Sequence, residues 1–71
     1  MPNYICNKNT DKNGLHEVHT TICSRLPLPQ NQLDIGYFYD CHAAIKQLKV
    51  WNPGKTNFDG CKYCSPSCHT A

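Results

Sequence analysis

Gly60-Cys61-Lys62-Tyr63-Cys64-Ser65-Pro66-Ser67-Cys68-His69 brings three thiols and an imidazole together in one short stretch near the end of the chain. Two cysteines separated by two residues, as Cys61 and Cys64 are, can place both sulfurs on one metal ion, because the turn between them folds back on itself. This stretch therefore supplies half of a tetrahedral site, and the other half must come from elsewhere. A redox dithiol is a rival reading. It calls for a βαβ context and a helix N-terminus to favour the thiolate, whereas this pair follows the one helical pattern of the chain.

Length sets the need for such a site. The chain has 71 residues, room for a single small domain spanning 1–71. Domains of this size bury only ~60% of their unfolded surface and gain little stability from the core alone. A metal, disulfides or a partner chain usually supply the rest. Six cysteines and four histidines are available. The opening Met1-Pro2-Asn3-Tyr4-Ile5-Cys6 carries no charged n-region followed by an apolar run, as a secretory leader would. No stretch approaches the ~18 apolar residues of a membrane span. These features predict a cytoplasmic chain with reduced thiols, in which clustered Cys and His bind metal rather than pair as disulfides. A disulfide-stapled secreted protein is the alternative.

The second half of the site is sought in His16-Glu17-Val18-His19-Thr20-Thr21-Ile22-Cys23. Residues 15–22 read as a strand from Val18, Thr20, Thr21 and Ile22. Alternation then puts Leu15, Glu17, His19 and Thr21 on one face, and His16, Val18 and Thr20 on the other. His16 and His19 point apart, so His16 reads as an exposed strand residue. His19 and Cys23 converge if the strand ends near Thr21 and the chain turns. The predicted ligands are therefore His19, Cys23, Cys61 and Cys64, three thiolates and one imidazole around Zn2+. The His16-Glu17-x-His19 spacing is not the metalloprotease motif, which needs histidines four apart on a helix.

The remaining elements frame this site. Residues 3–7 form the first strand and Asn13-Gly14 a turn, which makes residues 3–22 a β-hairpin. Leu26-Pro27-Leu28-Pro29 is an irregular connector, with Leu26 and Leu28 able to cap the core. Residues 33–39 read as a third strand, weakened by Gly36. Asp40 caps a helix over about 41–51, in which Cys41, Ala44, Ile45 and Leu48 share a face. Asn52-Pro53-Gly54 stops it, and residues 55–60 read as a polar loop.

The other thiols and rings are assigned by register. Cys41 lies on the apolar face of the helix and reads as a small core residue, as does Cys6 in the first strand; His42 falls on the solvent side. Cys68, His69 and Cys41 stand as second-choice ligands behind the four above. The seven aromatic residues read mainly as core. The net charge of +2 and scattered lysines mark no nucleic-acid footprint.

His19-x3-Cys23, a following strand and helix, and Cys61-x2-Cys64 together resemble the zinc-binding domain of the Ada methyl-phosphotriester repair family. Small bacterial and phage proteins ending in a Cys-rich knuckle are similar. The resemblance spans residues 16–64 and implies a small α+β zinc fold. In that family one ligand cysteine accepts a methyl group from DNA phosphate. Here a histidine stands where a cysteine pair would begin, the gap to the second pair is longer, and Lys62 alone remains of the flanking basic residues. Methyl transfer is therefore not carried over. The expectation is a monomeric, non-enzymatic α+β zinc module that binds a protein or nucleic-acid partner. A cysteine-dependent redox or methyl-acceptor protein is the further alternative.

Overall fold

A computed structural model describes residues 1–70, an α+β fold in which one helix covers a four-stranded sheet. The strands are β1 (Asn3–Asn7), β2 (His16–Thr20), β3 (Gln32–Tyr37) and β4 (Phe58–Gly60), and the helix is α1 (Cys41–Trp51). The sheet runs in the order β3-β1-β2-β4. β1 pairs antiparallel with both β2 and β3, and β4 joins β2 in parallel.

The hairpin forms as its β-branched and aromatic residues dictate, with Tyr4 opposite Thr20, Ile5 opposite His19 and Cys6 opposite Val18. Its turn is tied by the Asp11 carboxylate, which accepts from the backbone N–H of Asn13 and of Leu15. β2 stops at Thr20 rather than Ile22, because the backbone turns and the Cys23 N–H donates to the Thr20 carbonyl. Ile22 is left 92% exposed. β3 begins one residue early and ends at Tyr37, with a register shift against Tyr4 and Ile5. Gly36 sits beside that shift at φ +116°, a backbone conformation open to glycine and strained for other residues.

α1 has the predicted bounds. The Asp40 carboxylate accepts from the Ala43 N–H, and at the other end the Asn52 backbone N–H donates to the Leu48 carbonyl. Its buried residues Cys41, Ala44 and Leu48 pack with Tyr4, Cys6, Val18, Ile35 and Cys68 into one core, against which Phe38, Ile45 and Phe58 lean. Cys6 and Val18 therefore face the helix, and alternation places Ile5 and His19, both 1% exposed, on the opposite face of the sheet.

Three expectations change. Residues 58–60 are a strand and not loop: His16 lies beside Phe58, Glu17 beside Asp59 and Val18 beside Gly60. Three residues ending in Asp-Gly carry no strand pattern, so the pairing comes from tertiary context. Most aromatics lie outside the core. Tyr37, Tyr39, Trp51 and Tyr63 are exposed, and Tyr4 is the buried ring. The core under the helix is filled by Tyr4, Val18, Ile35, Ala44, Leu48 and three cysteines, with Phe38 and Phe58 leaning on it. Leu28 is exposed too. Among the described residues, no helix is long and apolar enough to cross a membrane.

Candidate metal centre

His19, Cys23, Cys61 and Cys64 meet as the sequence predicts, their ligand atoms all within 4.8 Å of one another. Each arrives by a different route. His19 is fixed by the β1–β2 register on the face away from the helix. Cys23 is swung back by the turn that ends β2. Cys61 follows β4 directly, and its N–H donates to the Val18 carbonyl, which prolongs the parallel pairing by one residue. Cys64 is closed onto the site by the next turn, in which the Ser65 N–H donates to the Cys61 carbonyl.

The donor set fits a tetrahedral metal. Zn–S bonds of ~2.3 Å at tetrahedral angles separate two sulfurs by ~3.8 Å. Cys23 Sγ and Cys61 Sγ are 3.8 Å apart. His19 Nδ1 faces Cys64 Sγ at 4.0 Å, so Nδ1 is the ring nitrogen turned toward the thiols. Backbone amides point at all three sulfurs: Arg25 N–H to Cys23 Sγ, Tyr63 N–H to Cys61 Sγ and Thr20 N–H to Cys64 Sγ, each at 3.4 Å. Two of these come from the residue two places after the cysteine, so both turns offer the same cradle. Donors aimed at sulfur favour the thiolate, the form that binds metal.

The electrostatics divide the four residues. Burial lowers the pKa of His19, which keeps the imidazole neutral and its lone pair free. Burial pushes the Cys23 thiol up to about 11 despite the Arg25 amide, and hydrogen bonds with Cys64 and Cys61 add to the rise. For Cys64 burial also acts upward, but the Thr20 amide and hydrogen bonds from Cys23, Ser65 and Cys61 outweigh it and bring the thiol below its ordinary value. The surroundings of Cys64 thus favour its thiolate, whereas those of Cys23 oppose it. Cys64 is also the half-exposed one, beside an open depression lined by Ile22, Cys23, Ser24 and Tyr63. The Arg25 guanidinium stacks over the Tyr63 ring at 4.3 Å and bridges the two turns from outside.

The second-choice ligands lie elsewhere. Cys41 and Cys68, 27 positions apart in sequence, are joined as a disulfide inside the helix-side core. Both sulfurs are thereby withdrawn from metal binding, although His42 lies close enough to make a group of three with them. Cys41 is core as expected; Cys68 is core and not ligand or frayed tail. The bond also means that the cysteines are neither all reduced nor all paired. His69 is turned away from the thiols, with Nδ1 at 3.2 Å from the Gly60 carbonyl and 3.2 Å from Asp59 Oδ2. Cys6 is buried and unpaired. His16 is half-buried rather than exposed, its Nδ1 2.9 Å from the Asn7 carbonyl and its ring against Phe58.

Two residues outside the predicted set border the centre. Glu17 Oε1 is 3.6 Å from His19 Nε2. Burial raises the Glu17 pKa, with the Asp11 and Asp59 carboxylates adding to the rise and His69 opposing it. Asp59, 1% exposed, accepts at Oδ1 from the N–H and hydroxyl of Thr70, which ties the end of the chain to β4. The face shared by Glu17 and His19 was readable from strand alternation; the role of Asp59 was not, because it depends on the unforeseen β4. No known protein family, curated protein or solved structure matches the chain.

Proposed function

We propose that this chain is a small non-enzymatic zinc module whose metal joins the hairpin to the C-terminal turn, and whose surface binds a protein or nucleic-acid partner. The observation that carries the proposal is the Cys23–Cys61 sulfur separation of 3.8 Å, the edge of a tetrahedral zinc–thiolate site, within a set of four soft donors. All four positions are filled by protein, which is the pattern of a structural rather than a catalytic zinc site. The exposed Ile22 and Tyr63, with Arg25 stacked on the ring, offer an apolar and cationic contact surface beside the metal. A bound metal also keeps the three thiolates from pairing with one another, so the centre coexists with the Cys41–Cys68 bond.

Metal analysis of purified protein tests this reading. One zinc per chain is expected, with loss of NMR dispersion on chelation; a metal-free chain indifferent to chelators rejects it. Thiol chemistry at Cys64 is a second reading, favoured by its partial exposure and its lowered pKa. Alkylation rates against pH separate the two, since a metal-bound thiolate is protected and a reactive one is modified first.

A further inference from the structure

The two ring nitrogens of His19 face opposite surroundings. Nδ1 looks toward Cys64 Sγ at 4.0 Å, while Nε2 looks toward Glu17 Oε1 at 3.6 Å. His19 is 1% exposed, so water cannot supply the missing partner freely, and the Glu17 side chain is 32% exposed. An imidazole can offer a lone pair to a metal from one nitrogen only when the proton sits on the other, and an acceptor at that other nitrogen selects the tautomer. Glu17 lies two residues before His19 on the same face of β2, so the strand itself delivers the carboxylate to the ring.

We propose that Glu17 is the positioning residue of the metal centre: its carboxylate accepts from the His19 Nε2–H, holds the ring in that tautomer and presents Nδ1 to the metal. This inference rests on the metal-centre reading above. The 3.6 Å separation exceeds a hydrogen bond by about half an ångström. In the proposed arrangement that gap is closed by the glutamate, whose side chain is 32% exposed, and not by the buried ring. Asp59, its neighbour across β2 and β4, is directed elsewhere: Oδ1 accepts from Thr70 and Oδ2 lies 3.2 Å from His69 Nδ1. The carboxylate also places negative charge behind the imidazole, which strengthens Nδ1 as a donor.

The test compares wild type, Glu17→Ala, Glu17→Gln and His19→Ala, with Zn2+ affinity read by competition against a chromophoric chelator. The tautomer of His19 is read by 15N NMR of the imidazole. The expected result is tight binding by wild type, an about 10–100-fold weaker affinity in Glu17→Ala, and partial rescue in Glu17→Gln, whose amide oxygen still accepts. Nε2–H is the expected tautomer in wild type, with Nδ1–H gaining population in Glu17→Ala. NMR dispersion establishes that each variant is folded. Zinc affinity in Glu17→Ala within twofold of wild type overturns the positioning role while leaving the metal centre intact. Equal losses in Glu17→Ala and Glu17→Gln with an unchanged tautomer overturn it as well, since they mark a merely structural contact. Failure of wild type itself to bind Zn2+, matched by an unaltered His19→Ala, overturns the metal centre and the inference with it.

Discussion

The two faces of the sheet use cysteine in opposite ways. On the helix side Cys41 and Cys68 are bonded to each other within a core of Tyr4, Val18, Ile35, Ala44 and Leu48. On the other side Cys23, Cys61 and Cys64 stay free, gathered around His19 under backbone amides. Apolar packing is available to the first group and little of it to the second, where Ile5, His19 and Asp59 are the fully buried strand residues. A small domain gains too little from one core, and the disulfide on one face and the proposed metal on the other would each supplement it. The difference teaches that a covalent bond suits a place already packed, and the proposed metal would suit a place where polar side chains are otherwise buried without compensation.

The largest effect should come from the open side. Cys61→Ser removes one of the four proposed ligands, itself 2% exposed, which leaves three donors, and the hairpin and C-terminal turn should separate. Structural zinc supplies folding free energy directly, apparent values in small zinc peptides reaching about 10 kcal/mol or more. Zinc content should fall below stoichiometric, and NMR dispersion around residues 19–23 and 61–65 should collapse. Retention of a native spectrum in metal-free Cys61→Ser would show that the two faces do not divide the work as described.

Breaking the closed side should cost less and leave the metal in place. The disulfide closes a loop with 27 positions of separation, for which chain entropy gives about 3–4 kcal/mol. Cys41→Ala with Cys68→Ala should lower the urea midpoint by a corresponding amount while still binding one zinc. Loss of zinc binding in this double variant would mean that the C-terminal turn is held by the helix side and not by the metal.

These contrasts were partly legible in the sequence. The helix was, because Asp40, the Cys41-Ala44-Ile45-Leu48 spacing and the Asn52-Pro53-Gly54 stop are local signals that agree. So was the meeting of His19, Cys23, Cys61 and Cys64: C-x2-C is a local geometric device, and strand alternation separated His19 from His16. The disulfide was not, since Cys41 looked like any small apolar residue on a helix and Cys68 like tail. Their meeting depends on how residues 61–68 fold back after β4, and β4 has no pattern of its own. The exposed rings were missed for a related reason. Composition counts aromatics but does not say how much core volume thiols and a disulfide already fill.

Gly60 connects the two faces and should respond next. A Cβ built there would lie 2.5 Å from both Cys68 Cβ and the Ser65 carbonyl oxygen, and 2.9 Å from the Cys68 carbonyl carbon. Two of these are backbone atoms, and Gly60 cannot retreat because it pairs with Val18 while Cys61 donates to the Val18 carbonyl. Gly60→Ala should therefore cost about 1–3 kcal/mol, as overpacking does. Zinc affinity and the disulfide should weaken together, the latter seen as faster reduction by dithiothreitol. A shift in only one of them would show that the strain is relieved toward the other face.

The smallest effect concerns Cys6, the thiol that belongs to neither group. It is buried beside the helix, and burial pushes its pKa from the ordinary 9.0 up to about 11, with Lys55 opposing only in part. The neutral thiol is thus favoured in the folded chain. As pH rises through about 9 the unfolded chain loses this proton first and binds fewer protons than the folded one. Stability therefore falls with rising pH between about 9 and 11, and is fully present below that window. Urea midpoints of wild type should decline across this range more steeply than those of Cys6→Ala, which has no proton to lose. Cys64, whose thiolate is favoured and partly exposed, should also alkylate faster than Cys6 in metal-free protein at pH 8. An inverted order would place a reactive thiol on the packed face, where the contrast between the two sides leaves no room for one.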